Sequence, residues 1–176
     1  MRRLGAILAG GRSSRFGSDK ALALLHGRAL IDRVADALRP QVDALVVVGR
    51  DHPGLTGTPD RPAADLGPLG GIAGALAHAA AHGFSHVLSV PCDAPDLPDD
   101  LPALLGEPPA CLADLPVVGL WPSAALAELD ALLAGPGSRS VRAFADRIGA
   151  RAVPGGGIAN VNTADDLARI AAAERR

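Results

Sequence analysis

The chain has 176 residues, with 17 Lys and Arg against 19 Asp and Glu, giving a net charge of −2. A 48% hydrophobic content is enough for a buried core and excludes a disordered chain, and the length fits one domain over residues 1–176. Balanced charge and 2% aromatic residues exclude the basic, base-stacking surface of a nucleic-acid binder, and no apolar run reaches the ~18 residues of a membrane span. Sixteen of the cations are Arg, and Lys20 is the one lysine. The surplus of Arg, Ala, Gly and Pro reads as the coding bias of a GC-rich genome. Cys92 and Cys111 make no disulfide framework and sit in no zinc spacing. The apolar stretch behind the N-terminal arginines runs about six residues, short of the ~7–15 of a signal peptide, so a cytoplasmic protein is expected.

In chain order, Leu4 to Leu8 is a short apolar run that reads as a buried strand, and residues 9–20 (AGGRSSRFGSDK) follow as a polar loop. Leu30, Val34 and Leu38 recur at helical spacing, and Pro40 ends that helix. Ala44 to Val48 is a second strand, residues 51–68 a Pro/Gly/Asp loop, and Gly70 to His82 an Ala-rich helix. Val87 to Val90 is a third strand running into Asp93, and residues 95–110 read as a Pro-rich surface excursion with Asp99 or Asp100 starting a helix. Val117 to Trp121 is a fourth strand. Helices are expected at 123–133, 139–148 and 164–173, with a strand at 150–153. Strands alternating with helices predict a three-layer α/β fold, a mostly parallel sheet with helices on both faces. Such sheets bind ligands outside the carboxyl ends of their strands, where the glycine loop, Gly49 and Arg50, and Asp93 all fall.

The glycine loop carries the most information. Gly10 and Gly11 let a backbone approach a ligand closely, and Arg12, Arg15 and Lys20 add positive charge, a combination that cradles phosphates. It is neither a Walker A loop, since Lys20 follows Asp19 and precedes Ala21, nor the G-x-G-x-x-G dinucleotide fingerprint. Read without context, the same residues also suit a solvated glycine turn.

Four elements extend the pattern: LAGGRSSRFGSDK at 8–20, GPLGGI at 67–72, VPCDAP at 90–95 and NVNTADDL at 160–167. In that order they resemble the motifs of the molybdopterin nucleotidyltransferase family, whose members have a Rossmann-like nucleotidyltransferase fold. The resemblance covers nearly the whole chain and is nearest to the members that join GMP from GTP to molybdopterin. It implies GTP and molybdopterin as substrates, Mg²⁺ as cofactor with Asp93 as its ligand, and other cofactor-biosynthesis proteins and apo-molybdoenzymes as partners. It places Leu8, Ala9, Gly10, Gly11, Lys20, Asp60 and Asp93 at the nucleotide, with Lys20, Arg15 and Asp93 catalytic. Asn160, Asn162 and Arg139 are candidates for the pterin side.

Chemistry fits those roles. Mg²⁺ is held by one or two carboxylates plus phosphates and water, and Lys20 and Arg15 would neutralise triphosphate charge. A phosphate monoester, mostly dianionic near pH 7, needs no general base, so the five His are read as surface or structural. Guanylyl members have L-A-G-G where cytidylyl relatives have L-A-A-G, and Gly10 leaves room for a purine. Asp60, seven residues before Gly67, can accept guanine N1–H and N2–H, or serve only as a turn aspartate after Pro59. Asn160 and Asn162 precede Thr163-x-x-Asp166, which reads equally as a capping box, and Arg139 and Arg142 suit either a pterin phosphate or a solvated helix face. The chain departs from the family at Leu115, where a polar residue is usual, at Gly49, where some members have Asn, and in a shortened 100–116 region. A cytidylyltransferase, another nucleotidyltransferase on this scaffold, or a nucleotide-binding accessory protein without turnover are the alternatives.

Overall fold

A computed structural model describes residues 1–11, 19–155 and 157–174. The first strand, β1 (Arg3–Leu8), is buried along all but its first residue, as its unbroken apolar run requires. A short hairpin, β2 (Leu24–Leu25) with β3 (Arg28–Ala29), leads into helix α1 (Leu30–Leu38). Strand β4 (Ala44–Val48) pairs parallel with β1, Leu4 opposite Ala44 through Leu8 opposite Val48. Next come β5 (Thr56–Thr58), α2 (Gly67–Ala81) and β6 (His86–Pro91), which flanks β1 on its other side. The chain continues through α3 (Leu101–Leu105), β7 (Ala110–Leu112), β8 (Gly119–Pro122), α4 (Leu126–Ala134), α5 (Val141–Arg147), β9 (Arg151–Val153) and α6 (Ala164–Ala173).

These strands form a seven-stranded sheet in the order β5-β4-β1-β6-β8-β7-β9. Only β8 runs against its neighbours, pairing antiparallel with β6 and β7. Side-chain alternation divides the core. Leu4, Ala6 and Leu8 point with Val46, Val87 and Trp121 towards α2, α4 and α5. Ile7 points with Val47, Leu88 and Val90 towards α1 and α3. Helix α2 has nine of its fifteen residues buried, and its glycines and alanines let it lie close on the sheet. The three-layer, mostly parallel architecture expected from the sequence is therefore present.

Three local expectations are corrected. The loop at 51–68 contains β5, whose Thr-Gly-Thr carries no apolar run because it is a largely exposed edge strand. Helix α2 begins three residues early, at Gly67, since Pro68 is compatible with a first helical turn. The segment 95–110 is no surface excursion: Leu101 and Leu105 are fully buried, and Asp100 caps α3 by accepting from Ala103 N at 3.1 Å. Buried Gln41 pins this segment, accepting from Leu101 N at 2.7 Å and donating to Pro98 O at 2.9 Å. Helix α6 covers the hairpin, with Leu25, Leu30 and Val161 packed against Leu167, Ile170 and Ala171.

Candidate active site

The carboxyl ends of β1, β4, β5, β6, β7 and β9 open on one edge of the sheet, and most of the described residues of interest lie there. β1 is followed by Ala9-Gly10-Gly11, β4 by Gly49-Arg50, β5 by Pro59-Asp60, β6 by Cys92-Asp93 and β7 by Ala113-Asp114-Leu115. Leu8 has its side chain in the core, so its backbone is what faces outward; its carbonyl accepts from Cys92 N at 3.1 Å, tying β1 to β6. Clefts lined by described residues lie along this edge, and three of them bear on the expected site.

The central cleft, about 190 Å³, is lined by Ala9, Gly10, Gly11, Asp19, Lys20, Ala21, Cys92 and Asp93. Lys20 forms an ion pair with Asp93 Oδ2 and donates to Asn162 Oδ1 at 3.1 Å. The other carboxylate oxygen, Asp93 Oδ1, is buried and has no hydrogen-bond partner among the described residues. Such an oxygen is costly to leave unmet and suits a cation. Gly11 has a φ of 121°, a backbone that strains any other residue. Burial, then the neighbouring Asp93 carboxylate, push the Cys92 thiol up to about 12. Arg12 and Arg15 lie outside the described residues.

Asn162 owes its position to the start of α6. Thr163 and Asp166 form a capping box, and Asp166 Oδ2 accepts from both Asn162 N (3.0 Å) and Thr163 N (2.9 Å). Val161 N donates to the Asp93 carbonyl at 2.8 Å, docking the same segment on the end of β6. Capping falls to Thr163 and Asp166, which leaves the Asn162 side chain to accept from Lys20.

The second cleft, about 320 Å³, is lined by Gly49, Arg50, Asp51, Gly57, Thr58, Pro59, Asp60 and Ala64. Asp60 is half-buried, and burial, followed by the charge of Asp65, raises its carboxyl above the usual range. Its carboxylate faces Gly10: a Cβ there would lie 3.0 Å from Asp60 Oδ2 and 3.3 Å from Gly49 Cα. Gly10 thus makes room for Asp60 and Gly49, a different use of the missing methyl from space for a base.

The third cleft, about 190 Å³, lies beyond β7 and is lined by Leu112, Asp114, Leu115, Gly155, Gly157, Ile158, Asn160 and Asn162. Asn160 Oδ1 is buried without a hydrogen-bond partner among the described residues. Arg139 is exposed in the connection between α4 and α5 and is not in the lining of these clefts. Arg142, on α5, donates to Ala113 O at 3.0 Å and so reaches the end of β7. The histidines are engaged elsewhere: His26 with Glu174, His52 with Asp32, His78 stacked on His82, and His86 with Ser85.

The reading from sequence assigned no role to the pair formed by Arg50 and Asp19. The guanidinium grips the carboxylate with two bonds of 2.8 and 2.5 Å. The position of Arg50, directly after an apolar strand, was the available signal; its partner 31 positions away was not.

A mostly parallel α/β sheet with glycines, a lysine and a cleft-facing aspartate at its strand ends sets out a ligand site where sheets of this class bind nucleotides. Comparison with known proteins gives the particular family. Residues 5–151 match the MobA-like NTP transferase domain, and the chain belongs to that family. It is 40% identical to the molybdenum cofactor guanylyltransferase of Rhodobacter capsulatus, over 96% of this chain and 95% of that one. Its identity to the protein of the same name from Acidiphilium cryptum is 39%, over 92% and 90% of the two chains. Among solved structures, the fold matches molybdopterin-guanine dinucleotide biosynthesis protein A from Archaeoglobus fulgidus with a TM-score of 0.78, at 23% identity and 98% coverage of both chains. It also matches 2-C-methyl-D-erythritol 4-phosphate cytidylyltransferase from Thermus thermophilus, with a TM-score of 0.70, 19% identity and full coverage.

Proposed function

We propose that this chain, acting as one domain, transfers GMP from GTP to the terminal phosphate of molybdopterin and releases pyrophosphate. The observation that carries this reading is the central cleft, where Lys20 meets Asp93 between the cleft lined by Asp60 and the cleft lined by Asn160, whose Oδ1 has no hydrogen-bond partner among the described residues. The relatives named molybdenum cofactor guanylyltransferase supply the substrate class.

Guanine would lie in the cleft beside Asp60, whose two oxygens suit the N1–H and N2–H donors of that base. The triphosphate would run past Gly10 and Gly11 to Lys20. A phosphate oxygen of molybdopterin, entering from the side of Asn160 and Asn162, attacks the α-phosphorus; the bond from that phosphorus to the bridging oxygen breaks, and pyrophosphate leaves. Both reacting phosphates are anions, so charge neutralisation dominates and no side chain need remove a proton. Lys20 supplies one positive charge, and Arg15 is the second cation of the proposal.

Asp93 fits a Mg²⁺ ion. Its Oδ1 is the orphaned oxygen, and among the described residues no set of three or more His, Cys, Asp and Glu side chains forms a ready-made metal site. That is the pattern of a cation whose remaining ligands are substrate phosphates and water. Once bound, Mg²⁺ would withdraw charge from the α-phosphate and the leaving pyrophosphate. With Asp93 holding the metal, Lys20 would turn its charge towards the phosphates while still donating to Asn162 Oδ1.

Pyrophosphate release measured with GTP and with CTP, with molybdopterin and Mg²⁺ present or omitted, tests the reading. GTP-dependent, acceptor-dependent release that Asp93→Ala abolishes is expected. A preference for CTP, or nucleotide binding without turnover under every condition, overturns it. Among the described residues no helix is long and apolar enough to cross a membrane.

A further inference from the structure

Between the base cleft and the phosphate cleft stands a partition made by two residues of opposite charge. Arg50 lines the first and Asp19 the second. The guanidinium donates Nη1–H to Asp19 Oδ1 at 2.8 Å and Nη2–H to Oδ2 at 2.5 Å, the fork geometry that only arginine offers a carboxylate. Asp19 has a second task. Its Oδ1 also accepts from Ala21 N at 3.2 Å, and its carbonyl accepts from Leu22 N at 3.1 Å, so it caps the single turn Lys20–Leu22. Lys20 is the first residue of that turn. The chain of contact therefore runs from the end of β4, through Arg50 and Asp19, to the backbone that carries the lysine.

Two physical facts make this more than an ornamental ion pair. A carboxylate in the wall of a cleft meant for a triphosphate repels its ligand unless its charge is matched, and Arg50 matches it. A pair whose side chains are 23% and 44% exposed adds little to global stability. The pair is thus poorly explained by stability and well explained by position.

We propose that Arg50 is a positioning residue for Lys20. It acts through Asp19, holds the Lys20–Leu22 turn at the edge of the phosphate cleft, and joins the wall of the base cleft to the catalytic cation. The inference rests on the nucleotidyltransferase reading above. It assigns Arg50 no contact with the reacting atoms.

The test compares wild type with Arg50→Ala, Asp19→Ala, the double variant and Arg50→Lys. Readouts are kcat and KM for GTP from pyrophosphate release, thermal unfolding, and amide hydrogen exchange at Ala21. Each alanine variant should unfold within a few degrees of wild type and lose on the order of 10- to 100-fold in kcat, the range that a displacement of about 1 Å costs. KM for GTP should stay within about threefold, because an interaction that orients for the transition state moves kcat. The double variant should be no worse than the worse single one, since both cut the same link. Arg50→Lys should fail to restore kcat, and Ala21 exchange should quicken in every variant.

Three results overturn the proposal: unchanged kcat in Arg50→Ala, losses that multiply in the double variant, or a rise in KM with kcat intact, which makes Arg50 a direct nucleotide ligand. A gain of activity in Asp19→Ala also overturns it, by showing that the carboxylate is only repulsive. If wild type releases no pyrophosphate, the functional reading fails, and amide exchange still decides this one: unchanged Ala21 exchange in Arg50→Ala removes the link.

Discussion

Gly10→Ala adds one methyl group at the point where the structure allows a defined outcome. The new Cβ would lie 3.0 Å from Asp60 Oδ2 and 3.3 Å from Oδ1, whereas ordinary contact begins near 3.4 Å. Gly10 is not among the glycines with positive φ, so alanine strains no backbone dihedral there and gains about 0.4–1 kcal/mol through the unfolded chain, against which stands a tight 3.3 Å approach to Gly49 Cα. The fold is expected to survive and the carboxylate to retreat by roughly 0.4 Å, a displacement that van der Waals repulsion sets. A bidentate base contact discriminates by about 1–3 kcal/mol, and loss of roughly half of it lowers the GTP-to-CTP ratio of kcat/KM by about two- to twelvefold. Pyrophosphate release with each nucleotide measures the ratio. Thermal unfolding shows whether the protein is intact. An unchanged ratio, or equal losses for both nucleotides, refutes the placement of Asp60 as the reader of guanine. Gly49→Ala is the contrast: at φ 85°, with a Cβ that would sit 2.6 Å from Gly10 Cα, it should abolish stable folding.

The remaining predictions concern the charged groups. Lys20→Ala should cost about 2–4 kcal/mol of transition-state stabilisation, and Lys20→Arg should recover little of it because a planar fork does not replace a compact ammonium between Asp93 and Asn162; wild-type kcat/KM in either variant removes Lys20 from the mechanism. Asp60→Asn should unfold at a higher temperature than wild type at pH 7. The folded protein holds the Asp60 proton more tightly than the unfolded chain, so wild type loses stability as pH rises from the usual aspartate range through the raised value. Below about pH 3, where both states are protonated, the difference should vanish; a Tm gap independent of pH contradicts the burial penalty. Cys92, with its thiol pushed up to about 12, should resist alkylation in the native protein at pH 8, and rapid labelling read by mass spectrometry would contradict that environment.

Legibility in the sequence followed burial. β1, β4 and β6 are covered by helices on both sides, so each appears as a continuous apolar run. Helix α1 was equally legible, since Leu30, Val34 and Leu38 form one buried stripe over the observed span. β5 escaped notice because its Thr-Gly-Thr carries no apolar residue, and β7 because it is hidden behind prolines. The turn at 95–101, which buries Leu97 and Leu101, is held by Gln41, a polar residue 60 positions from the amide that it satisfies. No local pattern announces such a partner.

The same division holds at the site. Residues that line a cleft from the end of their own strand, such as Gly10 and Asp93, could be picked out one by one, because a parallel sheet collects its strand ends. Residues placed there by a distant partner could not. Asn162 reads as a helix start until Lys20 is seen to donate to it, and Asp19 reads as loop polarity until Arg50 is seen to grip it. Lys20 lies where these two cross-chain links meet, one reaching its side chain from α6 and the other its backbone from β4. Coding bias can make lysine rare anywhere in the chain. A compact ammonium held between a carboxylate and an amide oxygen is a geometric reason for this one to resist replacement by arginine.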